Sequence, residues 1–346
     1  MLLLLLLLLL LLLLKASVRR KTCEEKRIFF HSIVQQYCMI DRRLQVLRVL
    51  AEVGTLTEAA HRLGYTPSAV SHQLRSLSKD LGLTILEQRG RGLVLTRVGQ
   101  LLLERTQELF TRWEEIRGEL AEADAGSPMR QRRLRLCGFS TAAATLLPPT
   151  AEKVNELFPD SQVTIIEAEP EECFELLVTE QADIAVVVAT DPLPPRSDVR
   201  FEQNALVSDR LDLLVHSDHR LATRSAVSLS EAAEESWILD RPGSPYYRLV
   251  RTACAAAGFF PENAHQSREW ETGAALVSAG LGVALIPRLA RLPEGYDVAR
   301  VPLRGDPVPS RKILTGVRSG SAGQPIIAAA LEILHEVAAS VAQRDV

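Results

Sequence analysis

The 346-residue chain lacks almost every signature by which an enzyme announces its chemistry. It has no GxSxG elbow, no Walker-type phosphate loop, no HExxH helix and no Rossmann glycine pattern, so nothing supports an enzyme reading. Its five cysteines, Cys23, Cys38, Cys137, Cys173 and Cys254, form no CxxC pair and no metal-ligand spacing. They read as ordinary thiols of a reducing compartment, with a redox-sensing pair as the alternative. "HSDHR" at 216–220 sets two histidines near an aspartate, but it follows an apolar run and has the character of a polar turn. Neither a metal nor another cofactor is called for. Nor is there a global excess of positive charge: 40 basic residues stand against 43 acidic ones, a net of −3.

Long apolar runs are likewise scarce, with one exception. Leu2 to Leu14 is unbroken leucine. A bilayer-spanning helix needs about 20 apolar residues, and a signal peptide needs a basic residue ahead of its apolar core and small residues at a cleavage site. Neither is present, and "KASVRRKTCEEKR" follows. Residues 1–38 are therefore expected to be a non-native extension, with the native start at Met39, where helical periodicity begins.

What is present is an uneven distribution of charge. Met39 to Gln100 carries nine basic residues against five acidic ones, and the chain beyond Gln100 is strongly acidic. A small basic module precedes a large acidic one, the pattern of a nucleic-acid-binding segment joined to something else. In the small module, Ile40, Leu44, Leu47 and Leu50 or Ala51 mark one face of a helix. Gly54 ends it, and Thr55 or Thr57 caps a second helix with Ala59, Ala60 and Leu63 inside, stopped by Gly64. Thr66-Pro67 then opens a third, as N-cap and first helical residue, which buries Val70, Leu74 and Leu77. Its other face shows Ser68, Ser71, His72 and Arg75. Two short helices about a tight turn, with polar donors at the start of the second, suit entry into a major groove. "EQRGRGLVLT" from Glu87 reads as a two-stranded wing with Arg89 and Arg91 at its tip, near backbone phosphates. A three-helix core with a solvated basic face is the plainer alternative.

These residues resemble a known family. "TEAAHRL", "SAVSHQLRSL", "LGLTIL", the basic wing and "LTRVGQ" follow one another at the spacing of the DNA-binding half of LysR-type transcriptional regulators. Two departures stand out. Pro67-Ser68 occupies a place where the family often has Gln-Pro or Gln-Ser, and Leu86 and Gln88 stand where Phe and Arg are frequent. The resemblance implies DNA contacts at Thr66, Pro67, Ser68, Ser71, His72, Arg75, Arg89 and Arg91.

The connector, 101–126, fits a heptad with Thr106, Trp113 and Leu120 at a and Leu102, Leu109, Ile116 and Ala123 at d, a coiled-coil seam. A helix packed on its own domain fits too. By resemblance this is a linker helix that pairs two subunits, giving a homodimer or homotetramer that presents two recognition helices to a pseudo-palindromic site.

From Arg133 the pattern changes. Short apolar runs at "LRLCGF", "VTIIEAE" and "DIAVVVA" alternate with helical stretches, which implies a parallel sheet with crossover helices. "LDLLVHS", "SWILD" and "GVALIP" repeat the theme after the break "DPLPPRSD". The expected architecture is a winged helix-turn-helix at 39–100, the linker, and a two-lobed α/β domain at 132–346. Its first lobe is 132–190 with 292–346, and its second is 191–291. "ELFPDSQVTI", "LLVTEQADIAVVV", "HSDHRLA" and "ETGAALVSAGLGVALIP" resemble the family's effector domain, which has the type 2 periplasmic-binding architecture. The resemblance places a small-molecule effector between the lobes, at Ser140, Thr141, Thr190, Ser244, Tyr246, Trp270 and Glu271. For Ser140 and Thr141 the alternative to anion binding at a helix start is simple N-capping. Trp270 reads equally as a core aromatic. Glu271 would favour an amine over an anion, or else is a helix-start carboxylate stabilised by the dipole.

The resulting expectation is a cytoplasmic, DNA-binding regulator that responds to a small molecule and does not associate with membranes. Its rival is a secreted or membrane-tethered solute-binding protein, which the leucine tract and two lobes would suit and which the helix-turn-helix and missing cleavage site oppose.

Overall fold

The computed structural model describes residues 40–89, 92–123, 132–190, 193–305 and 307–344. The leucine tract, the expected start at Met39, and Gly90-Arg91 at the wing tip lie outside them. The chain divides into two compact units between Thr106 and Gln107.

In the first unit, helices α1 (Arg42–Val53), α2 (Leu56–Leu63) and α3 (Pro67–Leu81) precede a hairpin of β1 (Leu86–Arg89) and β2 (Gly92–Leu95). Every expected punctuation mark is used. Gly54 and Gly64 close α1 and α2 with φ of 74° and 66°, in the left-handed region where an L side chain is strained. Thr55 Oγ1 accepts from Glu58 N at 3.2 Å and Thr66 Oγ1 from Ala69 N at 3.2 Å, each satisfying a free helix-start donor. Val46, Leu47, Leu50, Ala59, Ala60, Val70, Leu74 and Leu77 form the apolar interior. The hairpin pairs antiparallel with Leu86 opposite Leu95 and Arg89 opposite Gly92.

The "LTRVGQ" motif has a steric reason. Thr96 Oγ1 donates to Thr84 O at 2.7 Å and accepts from Gly99 N at 3.0 Å, tying the wing to the start of α4 (Arg97–Ala123). A Cβ on Gly99 would stand 2.1 Å from Ile85 O, so only glycine fits. The linker expected at 101–126 is thus part of a helix that begins four residues earlier, and the boundary between the units falls inside it.

The second unit carries β3 (Arg132–Gly138), α5 (Ser140–Thr145), α6 (Leu147–Leu157), β4 (Ser161–Glu167), α7 (Pro170–Val178), β5 (Ile184–Val188), β6 (Phe201–His216), β7 (Val227–Ser228) and β8 (Ser236–Leu239). There follow α8 (Pro245–Ala256), β9 (Glu262–Gln266), α9 (Trp270–Ser278), β10 (Ala284–Pro287), β11 (Val298–Arg304), β12 (Ser310–Arg318) and α10 (Pro325–Arg344). β4, β3 and β5 are parallel, as the alternating pattern predicts. The sheet then turns antiparallel: β12 pairs with β5, β6 with β12, and β10 and β11 with β6. Late strands return through the hinge rather than over a crossover helix, which the local pattern of each strand cannot reveal.

Two lobes are present, but the seam is not where the Pro-rich break suggested. The 16-residue strand β6 belongs to both. Leu206 and Val207 pack on the first core, with Leu134, Leu136, Ile184, Val186, Ile313 and Val317, while Leu211, Leu213 and Val215 join the second, with Trp237, Leu285, Val301 and Leu303. The lobe change lies within β6, and β11, expected in the first lobe, packs in the second. A strand that alternates sides every residue can serve two cores along its length. Helix α10, long and apolar enough by composition to cross a bilayer, places Ile326, Ile327, Ala330, Leu334 and Val337 in the first core.

Candidate functional sites

The first site is the outer face of α3. Residues 68, 71, 72 and 75 follow helical spacing and share one face. Ser68, His72 and Arg75 are exposed and Ser71 is half-buried. Thr66 Oγ1 and Ser68 Oγ lie 3.0 Å apart at the helix start, and Pro67 is exposed beside them. Arg75 Nη2 donates to Ser71 Oγ at 2.7 Å, a neutral partner that leaves its charge uncompensated. Two other arginines of the module have acidic partners: Arg62 pairs with Glu58 at 2.7 Å, and Arg43 with Asp41 and Asp80. Arg89, at the end of β1, is exposed, and Arg91 lies outside the described residues. The positive charge this unit presents thus includes Arg75 and Arg89.

Helix α4 has two faces. Thr106, Phe110, Glu114 and Gly118, four residues apart, are buried. Glu114 Oε1 accepts from Arg318 Nε at 2.8 Å, and Gly118 stands against Gly323. The heptad positions Leu109 and Leu120 are each 54% exposed, with Leu101 at 53%. One face of α4 thus packs on its own domain, while the heptad positions Leu109 and Leu120 lie on the side left exposed.

The cleft between the lobes brings some of the expected residues together and not others. Trp270 Nε1 donates to Thr141 Oγ1 at 3.2 Å, a bond from the second lobe to the first. Tyr246 meets Trp270 edge-on, ring centroids 4.9 Å apart, and donates its hydroxyl to Leu285 O at 3.1 Å. Burial pushes this phenol up, so it stays a neutral donor. Ser140 is exposed beside Thr141. Neither of the two caps a helix: Phe139 holds the N-cap position of the six-residue α5 without a side-chain bond. Ser244 is buried and caps α8, accepting from Tyr247 N at 3.0 Å. Thr190 is half-buried just beyond β5. Glu271 is exposed in the first turn of α9 and accepts from Tyr296 Oη at 3.3 Å, in keeping with the helix-start reading.

The charge buried at the cleft is a different one. Arg311, 6% exposed, lies with its guanidinium carbon 5.0 Å from the Phe139 ring centroid and 5.9 Å from that of Trp270. Its Nε donates to Asp209 Oδ2 at 2.8 Å, while Asp209 Oδ1 accepts from Leu289 N at 3.1 Å. Burial raises the Asp209 carboxyl above its ordinary range despite these partners. Sequence reading missed the pair, since its members are 102 residues apart. The local sequence gives no sign of which charge turns inward, since Arg311 is followed by Lys312, and Asp209 by Arg210 and Asp212.

The histidines of "HSDHR" are turn acceptors. His216 Nδ1 takes the Asp218 N–H and His219 Nδ1 that of Leu221. Cys137, Cys173 and Cys254 are buried and unpaired. The hydrogen bond with Cys173 and burial hold the Cys137 thiol far above its ordinary range, and burial pushes Cys254 up to about 12. Protonated thiols are poor nucleophiles.

Two family models match, "Bacterial regulatory helix-turn-helix protein, lysR family" over residues 42–100 and "LysR substrate binding domain" over residues 129–339. The chain belongs to the LysR-type transcriptional regulators. It is 29% identical over 301 residues to a probable regulator, LrrA, of Synechococcus elongatus, covering 86% of this chain and 97% of that one. It is 28% identical over 283 residues to the hydrogen peroxide-inducible genes activator of Haemophilus influenzae, covering 81% and 91%. Among solved structures, a full-length OxyR variant of Pseudomonas aeruginosa superposes with a TM-score of 0.58 at 21% identity, covering 86% and 93%. The regulator CbnR gives 0.51 at 24% identity, covering 85% and 99%. This LysR-type regulator therefore joins a DNA-binding helix-turn-helix to an effector-binding domain, and the solute-binding alternative is not favoured.

Proposed function

We propose that α3 enters the major groove with Ser68, Ser71, His72 and Arg75 toward the bases, while Thr66 and Pro67 set its entry and Arg89 and Arg91 of the wing meet backbone phosphates. The exposed, charge-uncompensated face of α3 is the observation that carries this reading. The open seam of α4, with Leu109 and Leu120 exposed, pairs two copies into a homodimer, and a further association gives the homotetramer. The protein works in the cytoplasm. A small molecule held between the lobes by residues around Thr141, Tyr246 and Trp270, with Ser140, Thr190, Ser244 and Glu271 at the margins, shifts lobe closure. It does so only by binding the two arrangements unequally.

Fluorescence anisotropy of residues 39–346 on the duplex upstream of its own coding sequence, against a scrambled duplex, tests the DNA reading. Preferential binding that weakens steeply with salt is expected, because phosphate contacts release counterions. Equal binding to both duplexes at every salt concentration by a folded dimer overturns the proposed base contacts. For the cleft, Ser140→Ala should impair the effector response at unchanged DNA affinity.

A further inference from the structure

Strand β12 starts at the hinge, and its Arg311 is flanked by one ring from each lobe, Phe139 from the first and Trp270 from the second. Nε is committed to Asp209, but Nη2 is buried without any hydrogen-bond partner. Arginine keeps its charge at every accessible pH, and its planar fork of N–H donors matches a carboxylate. Close by, Thr141 Oγ1 accepts from Trp270 and is 4% exposed, so its own hydroxyl hydrogen is a second donor in the same dry surroundings.

Resting on the reading that the effector sits between the lobes, we propose that Arg311 anchors an oxyanion: the effector is a small organic acid. Its carboxylate bonds to Arg311 Nη2 and Thr141 Oγ1, and its carbon skeleton lies against Phe139 and Trp270. The opposite preference, for an amine at Glu271, has less behind it, since that carboxylate is exposed and shared with Tyr296. The arrangement also supplies the unequal binding that a switch requires. Because the two rings and Thr141 come from different lobes, an acid on Arg311 completes its contacts only when the lobes are closed.

Calorimetry on the full chain tests this with phenylacetate, its neutral isostere phenylacetamide, and phenethylamine. Phenylacetate should bind at least about tenfold more tightly than the amide, the scale of a hydrogen bond to a charged group. Arg311→Lys keeps a charge beside Asp209 but loses the fork, and should weaken phenylacetate about tenfold while leaving phenylacetamide unchanged. The double variant Asp209→Asn with Arg311→Gln, which removes both buried charges together, should do the same if its thermal melt stays cooperative. A structural ion pair would move stability but not the acid-to-amide ratio. The proposal is overturned if the amide binds as tightly as the acid, if a folded variant keeps wild-type affinity for phenylacetate, or if the wild type does not bind phenylacetate. In those cases, an amide or amine signal abolished by Trp270→Ala leaves the cleft as the effector site and removes only the oxyanion. Silence from all three probes counts against both.

Discussion

Arg311 and Arg318 stand at opposite ends of one strand, β12, and are buried to the same degree, 6% and 5% exposed. Their surroundings differ. Arg318 gives Nε to Glu114 at 2.8 Å, Nη2 to Asp183 at 3.0 Å, and Nη1 to the carbonyls of Ala182 and Leu177. Asp183 in turn accepts from Arg135 N and from its guanidinium. Every nitrogen is used, and the network fastens α4 to the first lobe. Arg311 has one carboxylate, two rings and a nitrogen with nothing to donate to. A buried donor without a partner costs about 1–3 kcal/mol. The first arginine is complete as a piece of structure, whereas the second has capacity left for a ligand.

The comparison breaks most visibly at Arg318. Arg318→Met takes the shared cation from Glu114 and Asp183, leaving Glu114 with Gln324 and Arg117 and Asp183 with Arg135; removing one partner of a buried pair costs up to about 3–5 kcal/mol. Urea denaturation of the effector-domain transition should show a loss of that size. A loss below about 1 kcal/mol would mean that water or rearrangement satisfies the carboxylates, and that the two arginines differ less than their contacts suggest.

Asp183 gives the same contrast a pH dependence. Burial works against its ionisation, but the hydrogen bond from Arg135 and the charge of Arg318 hold its carboxyl below the ordinary 3.8. A carboxylate with a depressed folded-state value contributes stability that is present above the unfolded value and lost as pH falls through the folded one. Asp183→Asn should therefore melt well below the wild type at pH 7, with the gap closing as pH drops below 3.8. Asp209 has the opposite sign, being raised by burial, so its contribution is present below the ordinary value and lost as pH rises. Thermal melts of Asp209→Asn should show no such closing gap at low pH.

A third arginine sharpens the comparison from outside. Arg75 is exposed and bonds only Ser71 among the described residues. Arg75→Ala should leave the melting curve within about 0.5 kcal/mol of wild type, as surface changes usually do. It should weaken specific DNA binding by about 1–3 kcal/mol if the side chain reads a base. Unchanged affinity with an unchanged salt slope would take Arg75 out of the interface.

How much of this was legible in sequence follows from the range of the interactions. The helix-turn-helix was, because its determinants are local: Gly54, Gly64, Thr55, Thr66 and Pro67 each act within a few residues, and Val70, Leu74 and Leu77 mark a face by spacing. The parallel β3, β4 and β5 were legible for the same reason. The lobe change inside β6 was not, because nothing local in "FEQNALVSDRLDLLVH" marks where the strand passes from one core to another. Ser140, Thr141, Tyr246 and Trp270 were placed by family resemblance, and the structure brings Thr141, Tyr246 and Trp270 together. Asp209 and Arg311 escaped because a buried pair drawn from β6 and β12 has no spacing to detect.

The smallest expected effect separates closure from charge at the cleft. Thr141→Val keeps the shape of the side chain but removes the acceptor for Trp270 Nε1, one of the bonds between the lobes. A neutral hydrogen bond contributes about 0.5–1.5 kcal/mol net, so the melting temperature should fall slightly and the tryptophan emission should shift as Trp270 loosens. Arg311 and Asp209 are untouched by this change. If the cleft discriminates by charge, the ratio of phenylacetate to phenylacetamide affinity should fall only by the share owed to the lost hydroxyl, far less than in Arg311→Lys. If the ratio instead collapses to the Arg311→Lys value, Thr141 and the closure it fastens carry the recognition, and the incomplete bonding of Arg311 is a consequence of packing.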